Sequence, residues 1–314
     1  MVRPKQILIL GGTRFIGKAA VEALVREGVE CTIVHRGSTP NTNPNVRSIL
    51  ANRTDHDALS RIIRDAQYDA VLDMMPLGES DVTAVCTALG DGVPHMVAIS
   101  SCDVYRAMDV INKRVAVEID NRPIDESSPL RDRYYPYRGV PGMPESLHDY
   151  DKILAERRYQ QHASEHGTVC TVLRLPAVYG IGDYQRRVQS LLDVMDGTDT
   201  IALHPTHASF RMSRGYVENV ADAIQHACMH AHSGIFNIAE PSAFTELEWH
   251  QMVAKAAGWQ GTISVDASQD QGDDFDGRQH CVIDSSAFRS TFGYHERRAV
   301  EDALAAIVAA ERRY

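Results

Sequence analysis

The chain has 314 residues, 44% hydrophobic and 24% charged, with 32 Lys and Arg against 42 Asp and Glu, a formal net charge of −10. That is ordinary globular composition, and the acidic balance argues against a nucleic-acid or anionic-membrane partner. No apolar run reaches the ~18 residues that a membrane-spanning helix needs.

From the start, Met1–Gln6 passes at once into Ile7-Leu8-Ile9-Leu10, too short for a signal-peptide core and of strand length. Strands are predicted at 6–10, 31–35, 46–50, 70–74, 95–100 and 170–175, several of them apolar on both faces, as a sheet covered on both sides requires. Helical periodicity fills the gaps at 16–25 (closed by Gly28), 55–66 and 81–89. Strand–helix alternation means a doubly wound parallel sheet with crossover helices, a Rossmann-type α/β fold. Beyond Gly180 the pattern loosens into helices at 185–195, 217–232, 246–257 and 299–310 mixed with loops. The reading is a dinucleotide-binding domain over 1–178 and a smaller α/β substrate cap over 179–314. Six scattered cysteines without a C-x-x-C predict reduced thiols in a cytoplasmic protein.

Gly11-Gly12-Thr13-Arg14-Phe15-Ile16-Gly17 follows an apolar strand and opens an amphipathic helix, the context in which a glycine loop cradles a pyrophosphate. Gly11 permits the tight turn, Gly17 lets helix and strand pack closely, and the helix N-terminus aims backbone N–H groups at the phosphates. About 20 residues on, where NAD-binding proteins carry an acid for the ribose hydroxyls, stand His35-Arg36-Gly37-Ser38. With no carboxylate to repel a 2′-phosphate, Arg36 and Arg14 predict NADP(H). NAD(H) is the alternative if Arg36 is only a solvated surface charge.

Two clusters tempt a metal reading. His226-x-Cys228-x-His230-x-His232 has no nearby water-activating carboxylate, and the acidic run 270–277 lacks the spacing and terminal Glu of a calcium loop, so no metal is predicted.

The glycine loop resembles the fingerprint of the extended short-chain dehydrogenase/reductase superfamily, the NAD-dependent epimerase/dehydratase family. Ser100-Ser101-Cys102-Asp103-Val104-Tyr105 resembles its S-S-x-x-V-Y, and Arg174-Leu175-Pro176-Ala177-Val178-Tyr179-Gly180 its R-x-x-x-V-Y-G. The stretches 125–130, 215–221 and 236–238 match further landmarks, so the resemblance covers nearly the whole chain. Arg14, in place of the fingerprint's middle glycine, resembles the atypical branch that includes chloroplast stem-loop-binding proteins. The resemblance implies that Asn52 and Arg53 lie near the adenine and that Met74, Pro176 and Val178 flank the cofactor. It also implies a chain that returns to the first domain around 211–222, and a homodimer paired through about 81–89 and 150–162.

The family's chemistry uses a serine, here Ser101, and a Y-x-x-x-K pair whose lysine is here Lys152. Four residues before Lys152 stands His148, with Tyr150 between them. Three readings stay open. His148 replaces the phenol as acid/base, its imidazole having a suitable pKa near ~6.5. Tyr150 enters the site if the helix begins later, and the Lys152 field then favours its deprotonated phenol. Or hydride chemistry is lost and only cofactor binding remains. Asp103, Tyr105, Tyr137 and Arg138 are expected around the substrate, with Arg186, Arg211 and Arg214 from the cap where relatives bind a nucleotide diphosphate. The expected function is an NADP(H)-dependent epimerase, dehydratase or reductase of a sugar nucleotide or related polyol. The alternative is an NADP(H)-binding sensor or RNA-associated protein without turnover, which the net charge disfavours.

Overall fold

The computed structural model describes residues 3–270, 272 and 274–312; of the acidic run, Gln271 and Asp273 lie outside the described residues. The chain opens with β1 (Gln6–Leu10), α1 (Phe15–Arg26), β2 (Glu30–His35), β3 (Arg47–Leu50), α2 (His56–Arg64), β4 (Ala70–Asp73), α3 (Glu79–Leu89) and β5 (His95–Ser101). It continues through α4 (Arg106–Ile111), α5 (Lys152–His166), β6 (Val169–Leu175), β7 (Ala177–Tyr179), α6 (Gln189–Gly197), β8 (Thr200–Leu203), α7 (Pro205–Ser209), β9 (Arg214–Tyr216) and α8 (Val217–Met229). The last elements are β10 (Gly234–Asn237), α9 (Glu246–Ala257), β11 (Thr262–Val265), α10 (Ser286–Phe292) and α11 (Val300–Glu311).

Seven strands form one parallel sheet in the order β3-β2-β1-β4-β5-β6-β10, the strand order of a doubly wound fold. Successive side chains of β1 face opposite sides of this sheet. Ile7 and Ile9 join one core with Ala20, Val21 and Leu24 of α1 and with Ala223 and Ile224 of α8. Leu8 and Leu10 join the other, with Leu59 and Ile63 of α2, Val82 and Val85 of α3, and Tyr159 of α5.

Residues beyond 180 contribute to this central layer. Helix α8 packs on α1, and β10 adds the seventh strand with Ile235 opposite Val172. Periodicity does not reveal β10, because four residues are too few to show alternation. The rest of the second half holds two short parallel ladders, β8 with β11 and β7 with β9.

Candidate functional site

The β1–α1 loop is shaped by glycines with left-handed backbone: Gly11 has φ +100° and Gly12 +95°. A Cβ on Gly17 would sit 2.8 Å from the Gly12 Cα, so this glycine contact sets how closely α1 approaches the loop. Gly12, which the sequence reading left without a task, is therefore half of the close approach. A Cβ on Gly11 would meet the Met74 Cβ at 3.3 Å. Arg14 is the α1 N-cap in extended backbone without a side-chain cap bond, and the first turn carries no acid. The first-turn N–H groups are left for an external acceptor, and the glycine cradle is one that a side chain would fill. These residues fit a dinucleotide pyrophosphate. Arg14 and Arg36 are both exposed and make no ion pair with a described residue.

Arg53, which the resemblance implied lies near the adenine, is half-buried. Its guanidinium turns inward and pairs with Asp73 at 2.8 and 2.5 Å, with a further bond to the Met75 carbonyl at 2.5 Å. Asp73 is fully buried and also accepts from the Met75 amide at 2.9 Å and the Tyr159 phenol. A carboxylate removed from water needs this partner. Asn52 stays exposed and accepts from the Thr54 amide at 3.2 Å.

Four side chains meet near the carboxyl end of β5: Ser101, Asp103, Tyr150 and Lys152. The Lys152 ammonium donates to the Ile99 carbonyl at 2.9 Å and lies 5.9 Å from the centre of the Tyr150 ring. The Tyr150 phenol donates to Asp103 Oδ2 at 2.6 Å. Ser101 Oγ accepts from the Asp103 amide at 3.2 Å and holds the short 3-10 turn Cys102–Val104. Tyr137 packs on Tyr150 with ring centres 5.1 Å apart, and the Arg114 guanidinium sits 5.4 Å over Tyr137.

The start of α5 separates His148 from Tyr150. Asp151 is the N-cap, in extended backbone, and accepts from Ile153 and Leu154 amides at 3.0 and 3.2 Å. The helix therefore begins at Lys152. Residues four apart share a face only within a helix, so the H-x-x-x-K spacing gives His148 no place beside Lys152. His148 instead ends the short 3-10 turn Glu145–Leu147, its carbonyl accepting from Arg138 Nε at 3.2 Å. The turn that carries Tyr150 is pressed against α3: the Asp151 amide donates to the Leu77 carbonyl at 2.8 Å, and a Cβ on Gly78 would lie 2.2 Å from the Asp149 carbonyl oxygen.

The electrostatics correct one expectation. Burial, and then the adjacent Asp103 carboxylate, hold the Tyr150 phenol protonated well above the usual phenol range. The hydrogen-bonded carboxylate outweighs the more distant ammonium of Lys152. Burial pulls Lys152 down to about 8, with Asp73 and Asp103 opposing. Burial raises the Asp103 carboxyl, with the Tyr150 bond, Arg131 and Lys152 opposing.

Other expected site residues have partners within the protein. Tyr105 is buried, donates to Asn237 Oδ1 at 2.6 Å and accepts from Arg174 at 3.0 Å. Val178 lies in the hydrophobic core, and Pro176 packs against Gly215. Arg138 pairs with Asp149 at 2.5 Å and lies 3.8 Å over the Tyr135 ring. In the second half of the chain, Arg186 pairs with Asp193 at 2.6 Å, and Arg211 donates to the Ala243 carbonyl at 2.7 Å beside Glu248. Arg214 pairs with Glu246 and lies 4.3 Å over the Trp249 ring. Sequence reasoning missed the Arg131–Asp151 pair, fully buried at 3.1 Å, and Arg114; Asp151, just before a periodic run, carried an N-cap signal. Among the described residues, no group of three or more His, Cys, Asp or Glu is arranged to hold a metal ion.

A glycine cradle beneath a helix N-terminus, on a sheet in this strand order, defines the class: a doubly wound nucleotide-binding fold with a phenol, an ammonium and a carboxylate gathered at the strand ends. The model of the NAD dependent epimerase/dehydratase family matches residues 7–84 and 76–239, and the chain belongs to that family. UDP-glucose 4-epimerase of Thermotoga maritima, solved with UDP-glucose, superposes with a TM-score of 0.73 at 18% identity, over 98% of this chain and 99% of that one. dTDP-glucose 4,6-dehydratase of Bacillus anthracis, solved with NAD, gives 0.73 at 15% identity over 98% and 97%. At such identities the likeness is one of fold. Two curated proteins are similar over part of their length. 2'-Dehydrokanamycin reductase of Streptomyces kanamyceticus is 24% identical over 178 residues, 56% of this chain and 44% of that protein. Chloroplast stem-loop binding protein of 41 kDa b of Arabidopsis thaliana is 27% identical over 121 residues, 34% of this chain and 32% of that protein. The chain thus spans under half the length of the curated relatives it matches.

Proposed function

We propose that this chain is an NADP(H)-dependent epimerase, dehydratase or reductase acting at a hydroxyl- or carbonyl-bearing carbon of a sugar nucleotide or related polyol. The observation that carries the reading is the meeting of Tyr150, Asp103, Ser101 and Lys152 at the end of β5, two strands from the glycine loop at the end of β1. The loop residues Gly11, Thr13, Arg14, Phe15, Ile16 and Gly17 hold the pyrophosphate, and Arg36 with Arg14 takes the 2′-phosphate. Asn52, Met74, Pro176 and Val178 border the cofactor. Bound nicotinamide supplies the hydride acceptor or donor. Lys152, fixed by the Ile99 carbonyl, bonds the nicotinamide ribose; Tyr150 exchanges a proton with the reacting oxygen, and Ser101 hydrogen-bonds it.

The substrate lies over Asp103 and Tyr137. A diphosphate at Arg214 competes with Glu246 for the guanidinium, so phosphate-free polyols belong in the substrate panel beside nucleotide sugars. The similarity to a protein named as a 2'-dehydrokanamycin reductase supports including them. Six buried thiols suit a reducing cytoplasm. A homodimer through α3 and α5 would join exposed faces bearing Thr83, Thr87, Arg157, Gln160, Gln161 and Ser164, a polar interface whose existence light scattering at micromolar concentration decides.

The test is calorimetric titration with NADPH and NADH at fixed salt, followed by the substrate panel with nicotinamide absorbance as the readout. Tight cofactor binding with no oxidation or reduction by any panel member leaves the binding-protein reading. Absence of cofactor binding sinks both.

A further inference from the structure

We propose that Asp103 is a positioning residue for Tyr150: by accepting the phenol proton it turns the oxygen lone pairs of Tyr150 toward the reacting group, and it receives the proton that Tyr150 passes on. This rests on the reading of Tyr150 as the residue that exchanges a proton with substrate.

The 2.6 Å contact lies in the ~2.5–2.7 Å range of charge-assisted O–H···O bonds. It is made from a fixed platform, because Ser101 Oγ holds the Asp103 amide and the Arg131 guanidinium donates to the Asp103 carbonyl at 3.2 Å. The second carboxylate oxygen, Oδ1, is buried and has no hydrogen-bond partner among the described residues. The charged and titratable groups around the carboxylate are Tyr150, Tyr137, Arg131, Asp151 and Lys152. Neither cation bonds it directly: Arg131 is spent on Asp151 and Lys152 on the Ile99 carbonyl. A buried carboxylate held by one phenol, with its other oxygen unsatisfied, is a stronger base than a solvated one.

A phenol that gives its proton to Asp103 can only accept from the substrate, so the resting site is arranged for an alcohol. In oxidation the substrate O–H bond breaks and its proton goes to the Tyr150 oxygen. The Tyr150 O–H bond breaks in turn and its proton goes to Asp103 Oδ2, leaving Asp103 as the neutral acid. The carbon-bound hydrogen departs with its electron pair to oxidised nicotinamide, the co-reactant of the reading above. Reduction runs the relay backward and begins from protonated Asp103. One carboxyl group therefore imposes opposite pH limbs on the two directions.

The relay is readable without cofactor. In protein with isotope-labelled tyrosine rings, the Tyr150 signal is identified by its loss in Tyr150→Phe and followed by NMR against pH. In the wild type it should not titrate where exposed tyrosines do. In Asp103→Asn, which keeps the side-chain volume and removes the charge, its midpoint should fall by about one pH unit or more. An unchanged midpoint overturns the proposal. If the asparagine variant does not fold, Tyr150→Phe gives the mirror measurement: loss of the phenol donor should raise the Asp103 carboxyl titration, and an unmoved carboxyl overturns the proposal equally. Once a substrate is known, Asp103→Asn should remove the acidic limb of the oxidation pH profile, and a retained limb counts against the relay. Should Tyr150→Phe keep full turnover, the reading of Tyr150 fails on its own, whatever the NMR titration gives.

Discussion

Arg36 stands exposed immediately past the end of β2, without a partner among the described residues, and no carboxylate lies in the His35–Ser38 turn. A 2′-phosphate there gains charge-assisted bonds from a group that gives up nothing else to make them. Arg36→Asp should therefore weaken NADPH by about 1–3 kcal/mol and leave NADH the preferred cofactor. Calorimetry with both cofactors on wild type and variant measures this, and equal wild-type affinities would defeat the NADP(H) preference. The acid/base assignment is decided at the same scale. Tyr150 is joined to Asp103 and faces Lys152, whereas His148 stands outside α5. Tyr150→Phe should cost roughly 10²-fold or more in turnover, and His148→Ala little. The reverse outcome would return the proton to the imidazole.

Among elements, the start of α5 depends on one carboxylate. Asp151 caps the helix, accepts from the Tyr135 amide at 2.7 Å and binds Arg131 through both oxygens, with neither side chain exposed to solvent. It thereby fixes Lys152, the loop 131–138 and the turn that presents Tyr150. Asp151→Ala leaves Arg131 buried and unpaired, a change that costs about 3–5 kcal/mol. Urea unfolding should show this loss, and a midpoint unchanged from wild type would remove Asp151 from this role. Here the limits of the sequence as a guide are visible. Strands β1, β4 and β5 were legible because runs such as Ile7-Leu8-Ile9-Leu10 are apolar on both faces, and the glycine loop was legible because its spacing is local. The inward turn of Arg53 was not, since its partner Asp73 is 20 residues away and only the packing of β4 beside β1 brings them together. The bond from Tyr150 to Asp103 spans 47 residues and is tertiary in the same sense. The later start of α5 was one of the alternatives that the residues left open, and Asp151 carries the N-cap signal for it.

For the molecule as a whole, acid is the expected weakness. His95 is buried between β5 and β6, 3.0 Å from Thr171 Oγ1, and burial, then Lys5 and His232, lower its pKa to about 4. Burial and the neighbouring His166 and Arg158 lower His162 as well. Below the unfolded value of about 6.5 the unfolded chain takes up protons that the folded chain refuses. Stability is therefore full above about pH 6.5 and declines as pH falls toward 4, by about 3 kcal/mol for His95 alone. Urea midpoints across this interval should fall, and His95→Gln should flatten the fall. A slope unaffected by that change would acquit the histidine.

The seventh strand also bears on how the chain is made. Strand β10 closes the open edge of β6, and its Asn237 accepts the Tyr105 phenol and donates to the Ile124 and Asp284 carbonyls. As the polypeptide leaves the ribosome, β6 emerges well before this cover, with residues 177–233 still to come. During that interval the nascent sheet presents an unpaired apolar edge, the kind of surface that recruits other strands. Completion of the central sheet thus waits on residues synthesised long after the glycine loop, and a chaperone that shelters the β6 edge would act in that window.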